Sequence, residues 1–327
     1  MLSIGKIYNY LLNQTEFKAG HDRLHSIPPQ IVIDLTNICN LKCPLCPTGM
    51  AIANREKGIM NIELFEKIID QIRDRTMAIH LYNWGEPLLV GDFHQYCRIA
   101  KSKGFVVSAS TNLNIRLDHD KALALIDCGL DRLIVSLDGL SKRTYTTYRK
   151  KGNFSHVIDN LALLAKIKRE YRKSYPLIIT QLVRHRENIE DAQIIARAFK
   201  KLGADYFSLI DVLLPLGEGR NRTLINRWVT EDRLREPERS YDLPESEQGR
   251  PCFHLWKLPV INHDGTISPC CYVYSKKHDF GNLNYSDFRD IWNSDEFRAA
   301  RKMFKAGESE RIEPCGGCCL FREHAGR

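Results

Sequence analysis

From residue 29 onward, short apolar, β-branched runs alternate with longer segments whose apolar residues recur at helical spacing. Gln30–Leu35, Ala78–Tyr82, Phe105–Ser110, Arg132–Leu137, Leu177–Val183 and Tyr206–Ile210 read as strands. Ile62–Arg75 reads as a helix, with Leu64, Phe65, Ile68, Ile69 and Ile72 on one face. Roughly Phe93–Lys103, Ala122–Cys128, Val157–Glu170 and Ile189–Lys201 follow the same period. Strand then helix, repeated, predicts a parallel sheet with right-handed crossovers. Six such units fall short of the eight that close a full barrel. The expected fold is α/β, a partial (β/α)6 TIM-like barrel, with its chemistry at the C-terminal strand ends.

The pattern changes at both ends. Residues 1–26 form an N-terminal extension, in which Ile4, Ile7, Tyr8, Leu11 and Leu12 are spaced to pack one helix face. The barrel is expected over 27–230. Residues 231–250 are polar, contain Pro and Gly, and read as a linker. Residues 251–327 have little regular periodicity, a predicted hairpin around Asp264–Gly265, and few apolar residues for a core of their own. A small unit of that kind often needs a metal to hold it together.

Composition adds one anomaly. The 327 residues are 43% hydrophobic with a net charge of +8. The basic residues are scattered and form no nucleic-acid motif, so no nucleic-acid partner is expected. No apolar run reaches the length of a membrane span and no signal peptide is apparent, so a soluble, cytoplasmic protein is expected. The anomaly is 11 cysteines. Three fall between Cys39 and Cys46 and six after residue 250, while Cys97 and Cys128 stand alone in helical surroundings. In a reducing compartment, clustered cysteines more often bind metal than pair.

The first group closes the first predicted strand as Cys39, Cys43 and Cys46, separated by three and two residues. A 4Fe–4S cluster is normally held by four thiolates, so three leave one iron free for another ligand. Zinc would ask for a fourth ligand nearby or a catalytic water, and the loop has no His. This spacing after a first strand resembles the signature of the radical S-adenosylmethionine (SAM) superfamily. The resemblance implies that the free iron chelates SAM and that one electron cleaves it to methionine and a 5′-deoxyadenosyl radical, which abstracts hydrogen from a substrate. Asn83-Trp84-Gly85-Glu86-Pro87 is similar to the family's GGEP motif, which binds the SAM amino group, with Trp84 replacing its first Gly. By the same resemblance, Thr111, Asn112 and Ser136, at later strand ends, lie near the SAM ribose or carboxylate. Arg149 resembles a carboxylate-binding arginine, and Gln181 and Val183 are further candidates.

The second group resembles the SPASM/twitch extension of the same family. Cys252, Cys270, Cys315 and Cys318 make four thiolates, enough for one auxiliary 4Fe–4S cluster. Spacing alone does not exclude a structural zinc; the resemblance favours iron–sulfur. Cys271 and Cys319 are adjacent to ligands, and neighbouring side chains in extended chain point opposite ways. Asn282, Trp292 and Asn293 match the extension as structural residues. A cluster with four protein ligands has no open iron for substrate and suits an electron acceptor.

The ligand spacing is similar to that of twitch aminocyclitol dehydrogenases. That implies an oxidoreductase performing a two-electron oxidation of a small, carbohydrate-like alcohol, with flavodoxin or ferredoxin as electron donor. Peptide modification, by cross-linking or epimerisation, is the alternative. Arg184, His185, Asp211, His254 and His263 are candidate bases or substrate contacts that the sequence does not rank.

Overall fold

A computed structural model describes residues 3–212, 222–230, 251–306, 313–315 and 318. The expected linker, 231–250, and Cys319 lie outside the described residues. Each expected strand forms: β1 (Gln30–Ile33), β2 (Ala78–His80), β3 (Val106–Thr111), β4 (Arg132–Ser136), β5 (Leu177–Arg184) and β6 (Tyr206–Asp211). They pair in parallel in chain order. The helices are α1 (Ile4–Ala19), α2 (Pro47–Met50), α3 (Ile62–Ile72), α4 (Phe93–Ser102), α5 (His119–Asp127), α6 (Lys142–Tyr148), α7 (Phe154–Glu170), α8 (Ile189–Ala198) and α9 (Arg222–Trp228), with three more in the C-terminal unit. Polar caps fix several starts. The Asn61 side chain accepts from Leu64 N at α3, and Ser141 and Thr144 form a reciprocal capping box at α6.

The sheet does not end with the barrel. β7 (Val260–Ile261) pairs in parallel with β1, and β8 (Ile267–Ser268) folds back on β7 across the expected turn, where Gly265 takes a positive φ of 79°. The result is one eight-stranded sheet in the order β6-β5-β4-β3-β2-β1-β7-β8. The C-terminal unit therefore adds to the open edge at β1. Its buried Trp256, Ile261, Phe280, Trp292 and Phe297 join the apolar core formed by Ile31, Ile79, Val107 and Leu133. This shared core answers the shortage of apolar residues in 251–327. Trp292 is fully buried, 4.8 Å from the Phe297 ring, and the Asn293 side chain bonds both Leu24 N and Leu24 O.

The N-terminal helix reverses the expected orientation. Ile4, Ile7, Tyr8 and Leu11 are exposed, while Lys6, Asn9, Asn13 and Glu16 are buried. The reason is hydrogen bonding to backbone at the N-terminal ends of the strands. Lys6 Nζ donates to Gly104 O (2.7 Å), Asn9 Nδ2 to Ile27 O (2.8 Å), and Asn13 Nδ2 to Trp256 O (2.8 Å). Glu16 accepts from His25 N and Ser26 Oγ. A buried polar face is tolerable when each group finds a partner.

Alternation gives the barrel strands two different faces. Ile31, Ile33, Ile79, Val107, Ala109, Leu133, Val135, Ile178 and Leu182 are buried beneath the helices. The opposite face mixes polar with apolar side chains. His80 Nδ1 lies 2.6 Å from Ser108 Oγ and its Nε2 3.0 Å from Gln30 Oε1, and Gln181 Nε2 reaches Ser208 Oγ at 3.5 Å.

Candidate active site and auxiliary metal centre

The three clustered cysteines follow β1 in a loop that closes into α2. Gly49 makes that closure possible: a Cβ there would lie 2.3 Å from Cys43 O. Leu41, Cys43 and Leu45 pack with Tyr148, Trp228 and Val229 into a second, smaller apolar cluster. Each thiol meets a donor. Leu41 N lies 3.4 Å from Cys39 Sγ, Asn112 Nδ2 3.7 Å from the same sulfur, and Arg149 Nη1 3.8 Å from Cys43 Sγ. Backbone N–H groups of Gly49 and Thr48 serve Cys46. Burial pushes the Cys39 thiol up to about 12 despite the Leu41 N–H, and raises those of Cys43 and Cys46 as well. Thiols so desolvated, yet surrounded by N–H donors, give up their protons only to a compensating positive charge such as cluster iron. The donor set thus fits a 4Fe–4S group.

Glu86 is locked to this loop. Its N–H donates to Ile38 O (2.8 Å), and a Cβ on Gly85 would sit 1.7 Å from Thr36 O. The Glu86 carboxylate is buried and accepts from Thr111 Oγ1 (2.6 Å), Asn112 N (2.7 Å) and Leu88 N (3.1 Å). Burial raises its pKa, and these bonds oppose the rise. Thr111 and Asn112, expected near SAM, are therefore directly engaged with Glu86; Asn112 also bonds Asn40 Oδ1 at 2.9 Å. Ser136 is buried at the end of β4. Arg149 is paired with the fully buried Asp138, whose other oxygen accepts from Val183 N at 2.7 Å.

Trp84, the departure from the expected motif, does not occupy the left-handed region, so the backbone here does not require glycine. Its N–H donates to Asp34 Oδ2 (3.2 Å), and its indole Nε1 donates to Val273 O (3.3 Å). That second bond ties the loop after β2 to the chain just beyond Cys270 and Cys271. Asp34, which the sequence reading missed, is buried. Burial pushes its carboxyl up to about 7 against bonds from Trp84, Gly85 and Asn83 N–H groups and the nearby charge of Arg55. An acid five positions before a cysteine ligand could have flagged it.

Cys252, Cys270, Cys315 and Cys318 line one cavity, together with His254, Tyr272, Phe304 and Pro314. Cys271 does not line it, so the turn that closes with Val273 N donating to Cys270 O separates the two adjacent thiols. Four thiols around one shared space can hold a 4Fe–4S cluster.

The other candidates have other tasks. Arg184 pairs with Asp211 at 2.5 Å. His185 is packed against the rings of Tyr148 (5.0 Å) and Trp228 (5.1 Å), and burial pushes its pKa down to about 4. His263 is buried against Gly58. His254 lies at the auxiliary cavity.

The profile of the radical SAM superfamily matches residues 33–209, and that of SPASM, an iron–sulfur cluster-binding domain, matches residues 252–319. The tungsten-containing aldehyde ferredoxin oxidoreductase cofactor-modifying protein of Pyrococcus furiosus is 25% identical over 309 residues, covering 84% of this chain and 83% of its own. The AdoMet-dependent heme synthase of Methanosarcina barkeri is 24% identical, covering 89% of this chain and 91% of its own. A crystal structure of BtrN in complex with AdoMet and 2-DOIA superposes with a TM-score of 0.55 at 19% identity, covering 90% of this chain and 93% of that one. Streptococcus suis SuiB bound to its precursor peptide SuiA gives a TM-score of 0.66 at 17% identity, covering 97% and 74%. No helix among the described residues is long and apolar enough to cross a membrane.

Proposed function

The chain belongs to the radical SAM superfamily and carries a SPASM domain, and from that premise we propose that it catalyses a two-electron oxidation of a small, carbohydrate-like alcohol. When bound, the cluster and SAM supply a 5′-deoxyadenosyl radical that abstracts hydrogen, and the auxiliary cluster supplies an electron acceptor.

The protein's own residues divide the remaining work. Cys39, Cys43 and Cys46 hold the first cluster and leave one corner for SAM. Gly85 and Glu86 take the SAM amino group, with Thr111 and Asn112 keeping the Glu86 carboxylate in place. Ser136 and Arg149 stand on the side of the SAM ribose and carboxylate. Residues 27–230 form the catalytic unit and 251–327 the auxiliary one. The polar side chains Gln30, His80, Ser108, Gln181 and Ser208, on the sheet face opposite the helices, suit a hydroxyl-bearing substrate. Electrons enter from flavodoxin or ferredoxin.

The observation that carries this reading is the cavity lined by four cysteines. Four protein ligands leave no open iron for substrate, which favours electron acceptance over substrate binding. The curated relatives, named for cofactor modification and heme synthesis, also favour a non-peptide substrate. Peptide modification is the second reading, favoured by the likeness to SuiB with its precursor peptide.

The test is anaerobic reconstitution with iron and sulfide, then incubation with SAM, reductant and deuterium-labelled polyols or aminocyclitols. Deuterium in 5′-deoxyadenosine together with a ketone product is expected. Label transfer only from a peptide would replace this reading with the second. Absence of SAM cleavage from iron-loaded protein would refute both.

A further inference from the structure

Arg149 is held in a way that ties it to the cysteine loop more closely than a simple ligand-binding arginine requires. It caps the end of α6, with its N–H donating to Tyr145 O. The next residue's carbonyl, Lys150 O, accepts from Lys42 N at 3.0 Å, between Cys39 and Cys43. The chain then turns back, Gly152 N donating to Arg149 O at 2.9 Å. This turn is tight: a Cβ at Gly152 would lie 2.8 Å from the Tyr145 ring and 2.9 Å from Arg149 O. Backbone contacts alone therefore press residues 149–152 onto the cysteine loop.

The side chain is fixed as firmly. Asp138 is fully buried, and its Oδ1 accepts from Val183 N of β5 at 2.7 Å. Its Oδ2 accepts from Arg149 Nε. A guanidinium is a rigid planar fork, so fixing Nε fixes the direction of both Nη atoms. Nη1 then donates to Cys43 Sγ at 3.8 Å. The Arg149 side chain is only 14% exposed. Cys39 and Cys46 are hydrogen-bonded by neutral donors, whereas Cys43 is hydrogen-bonded by the guanidinium, whose charge also reaches Cys46.

We propose that the Asp138–Arg149 pair sets the reduction potential of the cluster held by Cys39, Cys43 and Cys46, with Arg149 acting as a positioning residue on the Cys43 thiolate. The inference rests on the proposed role of those cysteines. Adding one electron to a thiolate-bound cluster adds one negative charge. A buried cation beside a ligand sulfur favours that reduced form, because little solvent screens it. Asp138 opposes the effect, but it meets the guanidinium at Nε while the sulfur meets Nη1, and the arginine's charge acts on Cys43 more strongly than the carboxylate's. The pair therefore makes the cluster easier to reduce than the same thiolates without Arg149.

The test is an EPR-monitored redox titration of the reconstituted full-length chain without SAM, followed by SAM binding measured separately. Arg149→Gln is expected to lower the reduced-to-oxidised ratio at fixed poise by at least tenfold, about 59 mV for one electron. Arg149→Lys keeps a cation at this position and is expected to leave the ratio near the wild-type value. A loss confined to the neutral variant is not the mark of general structural damage, and a Lys variant that falls as far as tenfold would overturn the charge argument even if Arg149→Gln fails to fold. An unchanged ratio in both variants, with SAM affinity lost in Arg149→Gln, would overturn the proposal and return Arg149 to SAM alone. A wild-type chain that binds no iron at this loop would instead refute the underlying assignment of the cysteines.

Discussion

Arg55 Nη2 lies 2.8 Å from Asp279 Oδ1, joining the loop that follows Cys46 to the C-terminal unit. The same guanidinium donates to Thr266 Oγ1 at 2.8 Å and reaches Asp264 at 3.4 Å. Its side chain is 4% exposed. The two cysteine groups are therefore mechanically linked, through Arg55 on one side and the Trp84–Val273 bond on the other.

Arg55→Met tests that link. It removes the cation from two carboxylates, one of them, Asp279, almost fully buried. Breaking a buried pair from one side costs about 3–5 kcal/mol. Urea denaturation of the metal-free chain should register a loss of that order. A loss under about 1 kcal/mol would mean that the two units do not depend on this contact.

Gly85→Ala addresses the other side of the site. Its new methyl would meet Thr36 O at 1.7 Å, a backbone atom that yields only if the whole cysteine loop moves. A clash of this kind belongs to the strongly destabilising class, about 3 kcal/mol or more. The expected result is a lower denaturation midpoint together with poor iron uptake. Wild-type stability in the variant would show that the loop after β2 is not pressed onto the cysteine loop.

Much of this architecture was legible in the chain. β1 to β5 were readable because each carries a buried apolar face beneath helices of strong 3.6-residue period, such as α3; β6 was readable from its composition alone, since Tyr206, Leu209 and Ile210 are exposed. The two family domains were legible through the resemblance that the cysteine spacing carries, although spacing alone leaves zinc open at the second group. The orientation of α1 was not readable. Its buried Asn9, Asn13 and Glu16 are partnered by backbone groups of Ile27, Trp256 and His25, distant in sequence or in the connecting loops, and a hydrophobic pattern carries no record of such bonds. The pairing of β7 with β1 was hidden for a similar reason, since a two-residue strand has no period. Nothing in the sequence singled out Arg55 or His80; the fold supplied their partners.

His80 predicts a pH dependence. Burial, with a smaller contribution from the charge of Arg132, pushes its pKa down to about 4. An unfolded histidine titrates near 6.5. Below that pH the unfolded chain takes a proton that the native imidazole refuses, so the stabilisation present above pH 6.5 is lost as pH falls toward 4. Between pH 7 and 5 the loss from this residue is roughly 2 kcal/mol, at about 1.4 kcal/mol per unit. His80→Gln should show a correspondingly smaller fall in urea-measured stability over that range. Parallel pH curves for the two proteins would contradict the buried, neutral state of His80.

Cys270 and Cys271 offer the sharpest separation of ligand from bystander. Only Cys270 lines the cavity with Cys252, Cys315 and Cys318, although both thiols are buried. Burial pushes Cys271 up to about 11, partly countered by a backbone N–H, so it remains a neutral thiol near pH 7. Two cubanes hold about eight irons per chain and one holds about four. Cys270→Ser should therefore fall from roughly eight irons to roughly four on anaerobic reconstitution, while Cys271→Ser keeps the full complement. Oxygen-ligated serine can sometimes retain a cluster, so Cys270→Ala is the stricter comparison. Equal iron loss from the Cys271 and Cys270 variants would mean that both sulfurs serve the same cluster, against the lining of the cavity by Cys270 and not Cys271.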